Sequence, residues 1–314
     1  MYFPFFRGKQ YDLLTIRETT DVLVGSGFIP IIEPVKESLS SLNRCLASLD
    51  EAKAECILIA NPRYGDHAHQ HDNLQDFIAE DVNDSPYITI GILLLETTSI
   101  EEVARLYKLF SAKRISFIHS GFKRPKDLSA WLSENELDAR QIFIENNCGK
   151  IYRRNFKKYD RVLIRDGFKK RTNSKHPEVE EFSDLHLTYT EEGVDGFGDF
   201  LIVGDDYSEG GGPAYAVAIH LTYIDEDEDS IMYVHHFKSI RQDSPTDPAG
   251  KFLEALNKLI DAVNEPNTKI WKTDAVKEFI RLHEKKHFPG LGTAKKLSMK
   301  HHLETMAIFA KREQ

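Results

Sequence analysis

Charged and polar side chains gather at the ends of short apolar runs in this chain. Glu33, Glu96, Glu145, Asp166 and the Asp205–Asp206 pair supply carboxylates; Arg7, Lys9, Lys36 and Arg165 supply cations; Asn61, Asn146 and His119 complete the set. Carboxylates crowded into a partly dry cavity repel, and some take up a proton unless a cation joins them. Such oxygen-rich clusters suit a divalent cation such as Mg2+, which could polarise a phosphoryl or carbonyl oxygen. Without a metal, Glu33, Glu145 and Asp166 could divide into general acid and base. His119 could carry a proton, with Glu145 as its complement, or serve as a satisfied hydrogen-bonding residue under a loop. The basic groups could grip an anion, because an arginine fork matches phosphate or carboxylate, or they could neutralise the carboxylates as structural ion pairs. The residue types alone leave all three arrangements open: ion pairs, an organic-ligand site and a metal site.

The elements that must position these groups are written as a repeat. The runs are YFPFFRGK (2–9), FIPIIEPVK (28–36), CILIANPR (56–63), YITIGILLLE (87–96), RISFIHSG (114–121), QIFIENN (141–147), RVLIRDG (161–167) and FLIVGDD (200–206). Stretches of helical periodicity separate most neighbours. Examples are 11–24, 37–54, 99–112 with Ser99 as cap, and 125–138 opening on a proline. Consecutive apolar residues are the mark of strands buried on both faces. Eight strands alternating with helices predict a (β/α)8, TIM-like barrel over 1–206. Its chemistry belongs at the C-terminal strand ends.

Composition fits that size. Of 314 residues, 41% are hydrophobic and 29% charged, and the net charge is −9. The acidic average argues against a surface built wholly to clamp nucleic acid, although a local contact stays open. Residues 273–314 carry nine Lys/Arg against five Asp/Glu, plus His283, His287, His301 and His302; a solvated helical face or a local anionic partner accounts for this. Three cysteines without metal-like spacing, no leader pattern and no membrane-length apolar run predict a cytoplasmic protein without membrane attachment.

The pattern changes after the seventh run. Residues 168–199 form a long stretch, first basic and then acidic, read as an insertion or lid. Lys169, Lys170, Arg171 and the Gly210–Gly211–Gly212 run could cradle a phosphate, or the glycines could simply make a flexible turn. Residues 207–314 predict an addition. Runs 214–224 and 230–239 alternate as a β-hairpin over DEDED, and helices follow at 249–263, 273–287 and 293–312. His67, His69 and His71 would share a strand face as metal ligands, but PRYGD beside them favours a solvated loop. Adjacent His235 and His236 point to opposite strand faces, which disfavours them as a metal pair. No nucleophile-elbow pattern is present, and no cysteine has an evident activating partner.

FPFFRGKQYDLLTIRE followed by FIPIIEPVK, with GFGDF at 196–200, resembles the "beta protein" family of bacterial and phage proteins, over roughly residues 1–250. The likeness is greatest to a divergent bacterial branch encoded beside a second small protein. The resemblance implies a TIM-like barrel, an association with phage defence, and Lys9, Glu33 and Asp199 as positions to watch. Arg7 beside Lys9 departs from the common pattern. Together these readings predict an anionic small-molecule ligand, phosphorylated or nucleotide-like, at the barrel mouth. Arg7, Lys9, Lys36, Asn61, Arg165, Asp199 and Asp205 would bind it, while Glu33, His119, Glu145 and Asp166 would do the chemistry. The alternative is a non-catalytic scaffold for a partner protein, such as a nuclease-like neighbour in a two-gene module.

Overall fold

The computed structural model describes residues 1–82, 85–210 and 212–313. Strands run in chain order as β1 Phe5–Phe6, β2 Ile31–Ile32, β3 Cys56–Ile59, β4 Ile88–Leu95, β5 Ile115–Ser120, β6 Arg140–Ile144, β7 Arg161–Ile164, β8 Val179–Ser183, β9 Gly196–Gly198, β10 Ala218–Asp225 and β11 Ile231–Lys238. The α-helices are α1 Gln10–Glu18, α2 Thr20–Ser26, α3 Ser40–Glu51, α4 Asp72–Asp81, α5 Ile100–Leu109, α6 Pro125–Glu134, α7 Lys150–Arg153, α8 Leu185–Thr188, α9 Pro248–Asn264, α10 Asp274–Glu284 and α11 Leu291–Arg312. The chain divides into two compact units, Met1–Asp166 with Leu185–Phe200, and Gly167–Asp184 with Leu201–Gln314.

The first unit is the expected barrel. Eight parallel strands pair in the order β1-β2-β3-β4-β5-β6-β7-β9. A parallel bridge between Tyr2 and Phe197 brings the two edges together. The Phe3 N–H donates to Phe197 O at 2.8 Å and the Phe5 N–H to Asp199 O at 2.9 Å. Alternate residues fill the interior, among them Phe5, Ile31, Ile57, Ile59, Leu93, Ile118, Ile142 and Ile164. Gly91 faces this layer, where an added Cβ would sit 2.6 Å from Ile118 Cδ1. The interior is therefore a packed core. Helices cover the outside for the reasons their sequences state: Ser99 Oγ accepts from the Glu102 N–H at 3.1 Å and starts α5, and Pro125 starts α6.

The eighth strand is not the one expected. FLIVGDD is no strand: Phe200 ends the first unit inside the barrel core, and Leu201 turns at φ +50°. The closing strand is GFG at 196–198. Its glycines permit the closure, since a Cβ on Gly198 would lie 2.0 Å from Phe3 O. Nor is 168–199 a single insertion. Its first part gives β8 to the second unit, and its last part gives α8 and β9 to the barrel.

The second unit is a three-stranded antiparallel sheet, ordered β10-β11-β8, with α9, α10 and α11. The hairpin over the acidic turn is as expected. Phe252, Leu256, Leu259 and Val263 of α9 form one face and join Ile219, Leu221, Phe279 and Leu297 in a common core. Buried Lys251 ties loops to that core, donating to the carbonyls of Ala214 at 3.2 Å and Tyr215 at 2.7 Å and to that of Ser244. His301 and His302 are not on a solvated face. Both are fully buried, His302 Nδ1 lying 2.9 Å from Thr222 Oγ1 and His301 Nε2 accordingly donating to Thr222 O at 2.8 Å. Among the described residues no helix is long and apolar enough to cross a membrane, and the three cysteines are buried and free.

Candidate functional site

At the barrel mouth, charges meet and neutralise one another. Arg7 follows β1 and Glu33 follows β2. Parallel pairing aligns the two strands, and the Arg7 guanidinium donates to Glu33 Oε2 with both side chains almost wholly buried. The rings of Phe5, Tyr64 and Phe200 surround Arg7 at 4.9, 5.1 and 5.0 Å. The other oxygen of Glu33 accepts from the Arg63 N–H at 2.8 Å. Arg63 Nη1 in turn donates to Ser120 Oγ at 2.9 Å, and Asn147 Nδ2 donates to the same hydroxyl at 3.1 Å. This chain of contacts runs across strand ends from β1 to β6. Arg165 after β7 forks onto Glu145 after β6, at 2.6 and 3.0 Å. The pair is about one-quarter exposed, 25% and 27%. Ion pairing is therefore the arrangement found for Glu33 and Glu145.

The other candidates make contacts of their own. Asn61 clamps backbone, its amide donating to Leu93 O and accepting from Leu93 N, each at 2.8 Å. Asp199 accepts from the Tyr2 hydroxyl at 2.8 Å beside the barrel closure. Lys9 precedes α1, and its N–H is capped by the Asp12 carboxylate at 3.3 Å. Lys36 is exposed and lines a smaller pocket beside Gly8 and Pro34. Glu96 makes an exposed pair with Lys123. Asp166 is half-buried as the last residue before the first unit is left, and Asp205 belongs to the second unit. His119 alternates with the core residue Ile118, so it faces out of the barrel. It is fully buried between Gln141 Oε1 at 2.9 Å and the Tyr152 hydroxyl at 2.7 Å, and it stacks on Phe143. Burial lowers its pKa to about 3, so it stays neutral and does not pair with Glu145. His67 and His71 meet backbone carbonyls of Lys36 and Pro62, and His67, at the end of a 3-10 turn, is buried where a solvated loop was expected.

The second unit holds a different constellation. A pocket of about 780 Å3 is lined by Lys170, Arg171, His176, His220 and Lys295, with Phe168 as an apolar wall. Gly212 lines it too; Gly211 lies outside the described residues. Lys170 donates to Asp206 O at 3.0 Å. Lys295 is half-buried, and among the described residues no hydrogen bond or ion pair engages its ammonium.

Three histidines converge at this pocket. His220 on β10 and His236 on β11 are direct cross-strand partners, with their Nδ1 atoms 2.7 Å apart. His176, just before β8, stacks on His236 at 4.3 Å between ring centroids. One ring nitrogen from each lies within 4.8 Å of the others. Burial holds all three below the ordinary histidine range: His220 far below it, with help from His236 and His176, and His236 at about 4, with help from His176. Glu180 Oε1 accepts from His236 Nε2 at 3.2 Å, and Arg171 forks onto the same carboxylate. Burial raises the Glu180 carboxyl, but the Arg171 hydrogen bonds and charge outweigh it and keep it ionised.

Sequence reasoning took His235 and His236 as neighbours and missed this cluster. Counting outward from the DEDED turn places His220 opposite His236, so two of its three members were available from the hairpin. His176 joins only through the tertiary pairing of β8 with β11. No protein-family model, curated protein or solved structure matches the chain.

Proposed function

We propose that this protein binds an anionic, phosphate-bearing ligand of about nucleotide size in the pocket of its second unit. Lys295 carries this reading: it is a half-buried cation without an ionic partner among the described residues, in a pocket that also presents Lys170 and Arg171. Retaining an unneutralised ammonium beside neutral histidines costs stability, and an anion would offset that cost. The volume falls within the range of small-ligand sites, roughly 300–1,000 Å3. Phe168 offers an aromatic surface for the ligand's apolar part. The barrel mouth supports the reading less well, because Arg7 and Arg165 already hold Glu33 and Glu145. The same pairing favours a second role for the barrel, as a scaffold that docks a partner protein.

Thermal shift against a panel of inorganic phosphate, pyrophosphate and nucleotides tests the ligand. A native-state ligand at about 100 times its Kd adds roughly 2.7 kcal/mol. The midpoint should rise in the wild-type protein and in Arg165→Ala, and stay flat in Lys295→Ala. A rise kept in Lys295→Ala and lost in Arg165→Ala would return the site to the barrel mouth. A flat wild-type response would leave the scaffold reading, tested by co-purification of the neighbouring gene product.

A further inference from the structure

We propose that His176, His220 and His236 form a binding site for a late transition-metal dication of the Zn2+ type. The inference rests on the anion reading only for what fills the remaining coordination position; the metal site stands on its own geometry.

Three observations carry it. The first is convergence, since three imidazoles from three separate segments bring ring nitrogens within 4.8 Å of one another. Two of them come from a cross-strand pair whose spacing the sheet fixes. The second is an unmet need. His176 is 2% exposed, yet its Nδ1 is a buried polar atom without a hydrogen bond among the described residues. Glu180 lies 3.8 Å from that atom, too far for a hydrogen bond. A buried polar atom left so costs about 1–3 kcal/mol, and a metal ion would satisfy it.

The third is the shell behind the ligands. A metal-binding histidine commonly donates its second ring N–H to a carboxylate, which fixes the tautomer and makes the ligating nitrogen more basic. His236 has that partner: Nε2 faces Glu180 at 3.2 Å, which leaves the Nδ1 lone pair turned toward His220. Arg171 then orients Glu180 through a fork. The hydrogen-bonded histidine pair alone would not need this second layer.

Without metal, one proton is shared between the two Nδ1 atoms at 2.7 Å. Zn–N bonds of about 2.0–2.1 Å in a tetrahedron set ligand nitrogens about 3.3 Å apart. Loading would therefore move that proton to Nε2 of His220, freeing both Nδ1 lone pairs for the ion, and open the pair by roughly 0.6 Å. Imidazole donors favour Zn2+, Cu2+, Ni2+ or Co2+ over the Mg2+ expected of a carboxylate cluster. His176 and His220 line the pocket, so the remaining coordination position would face the ligand space. Three protein ligands plus one open position is the pattern of zinc sites that act on substrates.

The test uses the full chain stripped with a chelator and dialysed against Zn2+. One equivalent of zinc per chain is expected in wild type. Affinity should fall at least tenfold in His220→Ala and in His176→Ala, with circular dichroism reporting that each remains folded. Co2+ substitution in the wild-type protein should give the visible absorption of a tetrahedral nitrogen-ligated ion, a readout independent of any variant. Lys295→Ala should keep the metal even where it loses pyrophosphate, which separates failure of the anion reading from failure of this one. Absence of stoichiometric zinc in wild type, zinc affinity unchanged in folded His176→Ala and His220→Ala, or an octahedral Co2+ spectrum would overturn the site.

Discussion

Glu33 has no solvent exposure, and its two oxygens are held by the Arg7 guanidinium and the Arg63 N–H. Such a carboxylate presents no exposed face to a ligand. Its worth is structural, and breaking a buried pair by removing one partner costs about 3–5 kcal/mol because the other charge stays buried. Glu33→Gln should therefore lower unfolding free energy by about that amount in urea titration. Arg165→Ala, at a pair about one-quarter exposed, should cost about 1 kcal/mol or less. Equal small losses in both would mean that Glu33 is not the buried anchor described. At this scale the sequence located the charged groups well, because each follows an apolar run. It could not state their pairing, which depends on the register of neighbouring strands. His119 shows the same limit: its strand was legible, but the face it occupies follows from alternation with Ile118 and from the ring of Phe143 behind it.

Among the elements, seven of the barrel strands were legible because burial on both faces writes them as contiguous Ile, Leu, Val and Phe. β9 was not. GFG contains one apolar residue, and its fitness to close the barrel lies in what its glycines lack. A Cβ on Gly198 would meet Phe3 O at 2.0 Å and Ile164 Cδ1 at 2.6 Å. The first contact is with backbone, which cannot swing aside. Gly198→Ala should consequently destabilise the protein by about 1–3 kcal/mol or more, as forced overpacking does, and hydrogen exchange should rise at Phe3 and Phe5, whose amides pair across the closure. Unchanged exchange there would show that the closing contact is dispensable. The nearby FLIV run was the stronger strand signal, yet it divides at Leu201, with Phe200 in the barrel core and the rest in the second unit. The hairpin, by contrast, was readable from its alternation and acidic turn, and so was the amphipathic α9.

For the whole molecule, the chain visits the units in turn: barrel, second unit, barrel, then second unit again. That interleaving explains why 168–199 looked like one long insertion. It also explains why the histidine cluster stayed hidden, since His176 and His220 are brought together by strands that flank a return to the barrel. A TIM-like barrel is compatible with many unrelated functions, so the fold does not choose among them. What distinguishes the second unit is an ammonium, Lys295, without an ionic partner among the described residues, beside three converging imidazoles. Amide hydrogen exchange with and without saturating pyrophosphate or nucleotide, in the zinc-loaded protein, tests this most directly. The account predicts slower exchange at 169–176, 214–220 and the first turns of α11, with the strand ends at 7, 33, 145 and 165 unchanged. Protection confined to those strand ends would contradict it and place the ligand in the barrel mouth.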